Sequence, residues 1–252
     1  MHGTIPIKLF VRVFLSLLTL CLVHTTAAAQ TVTWNNWTFD YEVSGNFDGL
    51  SLQNVKYGGR TLIYKISLPV MRSFYTNNAC GPYADRLGGQ LSPIPWANNA
   101  TIAQREFTIN GRQWYEIGIR DQIGSQDIYQ VYYLSNDGIL DAHIYTKGSQ
   151  CGADHINYPN WRIDFDVDGF GNDMVEHSTG TSFQVNNTEF DANVTTAVNH
   201  GWRVGDTGTG LYIDILPGFT DFSIPNETHT PTIDYSQNTI FGRTYSSSED
   251  TG

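Results

Sequence analysis

The sequence predicts an all-β protein built as an antiparallel β-sandwich or a distorted barrel. Short segments in which polar and apolar residues alternate recur along the chain, and turn-forming residues separate them. Aromatic residues make up 13% of the chain, and such side chains are enriched in strands because they pack well on a pleated surface. No segment has the periodicity of a helix longer than a few turns. Together these observations indicate two packed layers of antiparallel strands.

The strand-like segments can be assigned in order. They cover residues 37–43, 52–57, 61–66, 114–119, 128–134, 139–145, 161–167, 181–185, 202–204 and 211–216. Gly58-Gly59 predicts a hairpin turn between the second and third of them, and Asn136-Asp137-Gly138 predicts another between the fifth and sixth. The longest segment without such a pattern, residues 73–103, is a candidate functional region, because long irregular connections often carry function.

Residues 1–29 have the pattern of a secretory signal peptide. Lys8 and Arg12 stand at the start of a short apolar run, and Ala27-Ala28-Ala29 provides a small-residue cleavage site. The apolar run is too short to span a bilayer. We therefore expect a secreted mature protein, residues 30–252, that folds as one domain.

The charge of the mature chain argues against two classes of partner. The whole chain has a formal charge of -11, and removal of the two basic residues of the signal peptide makes it about -13. An acidic surface repels nucleic acid and anionic membranes.

Secretion also determines how the cysteines and glycosylation sequons are interpreted. Cys80 and Cys151 remain after removal of the signal peptide, and an even pair in an oxidising compartment predicts a disulfide bond between them. N-x-[ST] sequons predict N-glycosylation if the source is eukaryotic, although an Asn- and Thr-rich chain also makes sequons by chance. They occur at Asn36, Asn99, Asn186, Asn193 and Asn226.

The segment from Asp154 to Glu176 carries the clearest chemical pattern. His155 precedes a strand in which Trp161, Ile163, Phe165 and Val167 share one face and Arg162, Asp164, Asp166 and Asp168 share the other. A histidine beside a strand that carries three carboxylates on one face indicates a candidate metal neighbourhood.

Six segments in order along the chain resemble the catalytic β-sandwich domain of the copper amine oxidases, which are secreted or periplasmic quinoproteins. They are the opening hairpin 49–68 with Met71 and Tyr75 after it, the Y-x-D segment 83–85, the strand pair 132–140, the block 155–169 with its R-x-D-x-D-x-D-G pattern, the segment 202–218, and the T-Y…E segment 244–249. The resemblance implies that the chain has the fold of this domain, incomplete at its C-terminus. The chain would then be either a truncated or a shortened relative of the family.

The resemblance also implies a reaction and its residues. Members of the family oxidise primary amines to aldehydes, ammonia and hydrogen peroxide, with a tyrosine-derived quinone and copper held by three histidines. By resemblance Asp85 is the proton-accepting base, Tyr83 the gate of the pocket, and His155 the first copper ligand. A loop aspartate, a packed tyrosine and a surface histidine are the structural alternatives. The family also implies a homodimer.

Two positions of this sequence depart from the family pattern. Asn157 stands where the second copper histidine is expected, and an amide is a poor copper ligand beside imidazole. Counting back from Asp137 places Gln126 at the quinone tyrosine, and glutamine cannot become a quinone. Tyr129 is the nearest candidate for the cofactor tyrosine, and a strand aromatic is its alternative. We therefore expect copper and quinone to be absent here.

Asp164 and Asp166 match the family's peripheral calcium-type site, whose oxygen ligands suit a hard cation; a solvated acidic strand face is the alternative. Two functions follow for the whole chain. The first is a copper amine oxidase-like secreted protein that acts on a primary amine when its site is complete. The second is a non-catalytic secreted β-sandwich that binds protein, carbohydrate or calcium.

Overall fold

The computed structural model describes residues 29–44, 48–75, 79–148, 155–169, 171–186, 190–191, 201–215 and 239–240. In this part of the chain the secondary structure consists of seventeen β-strands and one short 3-10 turn at Pro95–Ala97. All the strand pairs are antiparallel, so the predicted all-β antiparallel architecture is confirmed. Across the same residues, no helix has the length and apolar character needed to cross a membrane.

Sheet A is a meander closed by a strand from later in the chain. Its order is β1 (Gln30–Trp34), β2 (Trp37–Ser44), β3 (Gly49–Tyr57), β4 (Arg60–Tyr75) and β11 (His155–Phe165). The short β5 (Tyr83–Asp85) pairs with the end of β4, beyond the part that pairs with β3. The predicted hairpin at Gly58-Gly59 joins β3 to β4, since Tyr57 pairs with Arg60.

Sheet B packs against sheet A. Its central strands are β10 (Leu140–Lys147), β9 (Gln126–Ser135) and β8 (Arg112–Ile123), and β6 (Leu91–Ser92) and β7 (Ile102–Ile109) both pair with the other edge of β8. The predicted turn at Asn136-Asp137-Gly138 joins β9 to β10.

A third sheet, sheet C, contains β13 (Phe183–Asn186), β12 (Asp173–Ser178), β15 (Trp202–Asp206) and β16 (Tyr212–Ile215), in that order. β14 (Phe190–Asp191) and β17 (Thr239–Ile240) form a separate two-stranded pair. Val167, Val175 and Val204 make the small core of sheet C, and Phe165 and Ile213 pack against both this core and the main one.

The main core lies between sheets A and B. Its fully buried side chains come from both sheets, and they include Trp37, Phe39, Leu50, Leu52, Ile117 and Tyr132. Burial of each large apolar side chain contributes roughly 1.5–3 kcal/mol. The indole N–H of Trp37 also donates to the carbonyl oxygen of Ser135 at 2.7 Å, which ties the two sheets together across the core.

A buried polar network also ties the sheets together. Gln130 of β9 is fully buried, and its Oε1 accepts from the backbone N–H of Leu50 at 2.8 Å. Its Nε2 donates to the Leu50 carbonyl at 2.7 Å and to the Tyr132 hydroxyl oxygen at 3.0 Å. The side-chain amide thus pairs with Leu50 as a neighbouring strand would. Gly49, at φ +66°, leaves room for it, because a Cβ there would collide with the Gln130 amide.

Several strands extend beyond the predicted segments. β4 continues to Tyr75 rather than ending at residue 66, and β11 begins at His155 rather than at residue 161. Part of the irregular segment 73–103 is therefore strand, in β4, β5, β6 and the start of β7. Pairing between β4 and β11 supplies backbone partners that outweigh the poor strand propensity of their asparagine and proline residues.

Candidate functional site

One face of sheet A gathers most of the residues that the sequence predicts for the site. In the pairing of β5, β4 and β11, Tyr83 lies opposite Ser73, and Ser73 lies opposite Asn157. Tyr75 lies opposite His155 in the same register. Directly opposed residues, and residues two apart on one strand, share a face of the sheet. These five side chains therefore project to the same side.

Asp85 belongs to this face as well. It follows Tyr83 by two residues and pairs with Met71 of β4. Met71 is fully buried and belongs to one core cluster with Ile128 of β9, so this face points inward to sheet B. Asp85 itself is half-buried, at the edge of the core.

Aromatic rings line the centre of the site. The ring of Tyr75 stacks on the imidazole of His155, with centroids 5.1 Å apart and an interplanar angle of 23°. The ring of Tyr83 meets Tyr75 edge to face at 5.9 Å. The Tyr75 ring thus lies between the proposed gate and the proposed metal ligand, and it fixes the plane of the imidazole.

Gln126 faces His155 from the opposite sheet. It is the first residue of β9 and is fully buried, and its Nε2 lies 3.3 Å from Nε2 of His155. Its Oε1 is also buried and has no hydrogen-bond partner among the described residues. An unpartnered buried amide oxygen costs about 1–3 kcal/mol, and its position therefore calls for a donor.

Hydrogen bonds hold Asn157 in place beside His155. Its Oδ1 accepts from the Ser73 hydroxyl at 2.7 Å, and its Nδ2 donates to Oγ1 of Thr146 at 3.3 Å. Both ends of the amide are occupied by neighbours in the same site, so Asn157 acts as part of a hydrogen-bonded network.

Tyr129 lies on the other face of β9. It is three residues from Gln126, and an odd separation reverses the direction of a strand side chain. Its ring packs against Trp96 with centroids 5.2 Å apart, and the guanidinium of Arg120 lies 5.9 Å from the ring centre. The structure does not bring Tyr129 together with His155, Tyr83 or Asp85.

Comparisons with known proteins show which solved structures share the fold of this chain. No profile of a known protein family matches the chain, and no curated protein matches it. Among solved structures, a copper-containing benzylamine oxidase from Hansenula polymorpha superposes with a TM-score of 0.61 over 75% of this chain, at 11% identity. The chain has the copper amine oxidase fold.

Two further structures agree. A structure of PPLO superposes with a TM-score of 0.59 over 75% of the chain at 15% identity, and a second, of the Pichia pastoris lysyl oxidase PPLO, gives 0.53 over 69% at 15% identity. The matched parts are 44%, 38% and 35% of the three structures. This chain therefore spans less than half the length of the copper amine oxidase structures, and the resemblance is confirmed for the fold.

The residues at this site do not fit the copper and the quinone that the family resemblance implies. Gln126 occupies the wall opposite His155 and has no phenol ring to oxidise. Asn157 gives its amide to Ser73 and Thr146. In the described ranges, no group of three or more His, Cys, Asp or Glu side chains is arranged to hold a metal ion.

The two aspartates of the predicted calcium-type site have different surroundings. Asp164 pairs with Lys65 in the sheet register, and its carboxylate lies 3.4 Å from Nε of Arg162. Asp166 follows the end of β11 and is 9% exposed, and burial raises the pKa of its carboxyl. Asp164 therefore takes part in an ion pair, and Asp166 is a buried carboxyl.

Asp173 of sheet C has two acidic neighbours, Asp166 and Asp206. Burial raises the pKa of Asp173 to about 6, and the nearby charges of Asp166 and Asp206 act in the same direction. Oδ1 of Asp166 and Oδ1 of Asp173 are both buried without a hydrogen-bond partner in the described ranges. The carboxyl of Asp173, with its pKa raised to about 6, is therefore largely protonated in the folded state below about pH 6.

The predicted modification sites are only partly described. Asn36 lies exposed in the β1–β2 turn, and Asn99 lies exposed in the turn after Pro95–Ala97. Asn186 ends β13, while Asn193 and Asn226 lie outside the described residues. Cys80 precedes β5, and Cys151 is outside the described residues, so their bond stays a prediction.

Sequence reasoning missed the contacts that organise the site. The sequence marks Tyr75 and Gln126 only by their positions in family patterns, and nothing in it marks Ser73 or Thr146. The 3.3 Å approach of Gln126 to His155 joins residues of two different sheets. Only the folded sandwich creates that neighbourhood.

Proposed function

We propose that this protein is a secreted copper amine oxidase-like domain that recognises a primary amine without oxidising it. The observation that carries the proposal is the contact between Gln126 and His155, because the family resemblance assigns the position of Gln126 to the quinone tyrosine and an amide cannot replace that phenol. Secretion rests on the signal-peptide pattern of residues 1–29.

The remaining groups of the site suit an alkylammonium ion. Asp85 supplies a carboxylate on the inward face, and the amide oxygen of Gln126 supplies a buried acceptor. An ammonium group has three donors to satisfy such acceptors. The rings of Tyr75 and Tyr83 favour a cation or an apolar substituent beside them. Two of the similar structures are named for benzylamine and lysyl substrates, which agrees with this class of ligand.

Oxidation needs redox groups that these residues do not provide. Gln126 has no aromatic ring, and the amide of Asn157 is engaged by hydrogen bonds. We therefore derive no reaction step for this chain and propose binding alone.

The test uses the mature chain, residues 30–252, and benzylamine as the probe. We expect benzylamine to shift amide resonances around His155 in NMR spectra, and Asp85→Asn to weaken the association about tenfold, as for loss of a charge-assisted hydrogen bond. Glu106→Gln is the control, because it removes an exposed carboxylate of β7. A folded protein that shows no benzylamine shifts would overturn the amine site.

A second measurement tests the absence of oxidation. After incubation with copper in air, we expect no hydrogen peroxide from benzylamine and no coloured adduct with phenylhydrazine. Peroxide release that Asp85→Asn abolishes would show that the chain is an oxidase. Light scattering on the same sample tests the homodimer that the family resemblance implies.

A further inference from the structure

The outer face of sheet B carries a groove that the amine site does not use. One row of side chains crosses four strands, because Arg105 pairs with Glu116, Glu116 with Tyr133, and Tyr133 with Asp141. The groove has a volume of about 350 Å³, which lies at the lower end of the usual range of small-molecule sites, about 300–1,000 Å³.

Aromatic rings form the floor and walls of this groove. Phe107 meets Tyr133 edge to face at 6.1 Å, and Tyr133 meets His143 edge to face at 5.5 Å. His143 stacks on Tyr145 at 5.7 Å with an interplanar angle of 9°. Tyr145 is 43% exposed, so a flat aromatic surface is open to a ligand.

The charged groups of the groove are arranged in pairs. Arg105 contacts Glu116 at 2.6 Å, and Nε2 of His143 lies 2.8 Å from a carboxylate oxygen of Asp141. Glu116 is 2% exposed, so its charge is neutralised within the protein by Arg105. The buried carboxylate of Glu116 is thus compensated within the protein, whereas the carboxylate of Asp141 contacts an imidazole that is charged only when protonated.

Two rings of the groove also lie close to guanidinium groups of the chain itself. The guanidinium of Arg105 lies 5.5 Å from the centre of Phe107, and that of Arg112 lies 5.7 Å from the centre of Trp114. A ligand ammonium would meet these like charges. The groove therefore differs from the amine site on the inner side of the sandwich.

Polar groups surround the aromatic surface with donors and acceptors. The hydroxyls of Tyr133 and Tyr145 lie 3.3 Å apart, and the carboxylate of Asp141 and the guanidinium of Arg105 stand in the same lining. A ligand with a flat C–H surface and many hydroxyls on its edge satisfies both sets of groups. Pyranose sugars have this combination, since their C–H bonds cluster on the ring faces.

We propose that the outer groove of sheet B binds a neutral oligosaccharide. The pyranose faces stack on Tyr145 and Trp114, and the hydroxyls on the ring edge exchange hydrogen bonds with Asp141 and Arg105. The acidic net charge of the chain, -11, agrees with a neutral ligand rather than a nucleic acid or an acidic glycan.

Cellotetraose, chitotetraose and maltotetraose serve as probes for the mature chain in titrations that follow NMR shifts and tryptophan fluorescence. We expect at least one to shift the Trp114 indole resonance, and Trp114→Ala and Tyr145→Ala each to weaken that association about tenfold, as for truncation of an aromatic anchor. Tyr145→Phe keeps the ring and should retain most of the binding. Tyr212→Ala is the matched control, since Tyr212 is 52% exposed on sheet C.

Several outcomes would overturn the proposal. The first is a folded protein whose resonances none of the three probes shifts. The second is a probe affinity that Trp114→Ala and Tyr145→Ala leave unchanged. The third is competition by glucose 6-phosphate or benzylamine that displaces the probe from the groove as well as an oligosaccharide does. Self-association that Tyr145→Ala abolishes would instead assign the groove to a second copy of the chain. Melting curves of the four variants confirm that each one folds.

Discussion

At the scale of single residues, the raised pKa of the Asp173 carboxyl makes the stability of the folded protein depend on pH. Burial, with Asp166 and Asp206 nearby, raises its pKa from 3.8 to about 6. The folded state then binds more protons than the unfolded state between about pH 4 and pH 6. The contribution of Asp173 to stability is therefore present at low pH, and it is lost as the pH rises through about 6.

Asp173→Asn should stabilise the protein at pH 7. The amide keeps the shape and carries no charge to desolvate, so we expect a gain of about 1–2 kcal/mol in the free energy of unfolding, discounted because the carboxyl is only half-buried. The gain should disappear near pH 4, where the aspartate is protonated in the folded state. Urea unfolding at a series of pH values measures both effects.

Asp137→Asn is the control with the opposite sign. The hydroxyl of Ser135 donates to Asp137, and this hydrogen bond, with Arg112 nearby, lowers the pKa of its carboxyl. Its contribution to stability is present above pH 4 and is lost as the pH falls, so the substitution should destabilise the protein at pH 7. Equal pH profiles for the two variants would contradict the account of Asp173.

At the scale of strands, Gln130 does what an additional strand would do. Its amide bonds both backbone groups of Leu50, 80 residues away, and the Tyr132 hydroxyl. Gln130→Leu should lower the free energy of unfolding by about 2–4 kcal/mol, because it leaves the buried N–H of Leu50 and part of the network unsatisfied.

Gln122→Leu provides the matched comparison. It makes the same chemical change at an exposed position of β8, so we expect a change within about 0.5 kcal/mol. Denaturant unfolding followed by tryptophan fluorescence measures both variants. Similar losses in the two would mean that the network between the sheets contributes nothing beyond side-chain size.

Local sequence patterns predict some of the strands and turns but not all of them. The alternation from Trp161 onward predicts β11, and the glycine-containing turns predict two hairpins correctly, because both signals are local. The stretch from His155 to Asn160 lacks alternation and contains Pro159, yet it is strand because β4 pairs with it. Local propensity cannot anticipate pairing with a partner that lies about 80 residues away in sequence.

The same limit applies to the site. The motif patterns predict that Tyr83, Asp85 and His155 act together, and the structure gathers them on one face. The unpartnered amide oxygen of Gln126 depends on the packing of sheet A on sheet B, which no spacing in the sequence encodes. Tyr129 is a candidate for the cofactor tyrosine because of its residue type alone. The alternation of side chains along β9 directs it to the outer face of sheet B, where it packs against Trp96.

At the scale of the whole molecule, the two cysteines lie in the sequence segments that precede β5 and β11. Cys80 lies between β4 and β5, and β5 carries Tyr83 and Asp85. Cys151 lies in the sequence between β10 and β11, four residues before His155. Since β5 and β11 flank β4 on its two sides, a bond between the cysteines would tether both walls of the site.

We expect non-reducing peptide mapping of the secreted protein to show one peptide pair joined through Cys80 and Cys151. The double substitution Cys80→Ser/Cys151→Ser should lower the free energy of unfolding by up to about 4 kcal/mol, the loop-closure entropy of so long a loop. It should also weaken benzylamine binding, because β5 and β11 lose their covalent tether. Two titratable thiols in denatured, unreduced protein would contradict the bond. Unchanged benzylamine affinity in the double variant would show that strand pairing alone holds the two walls in place.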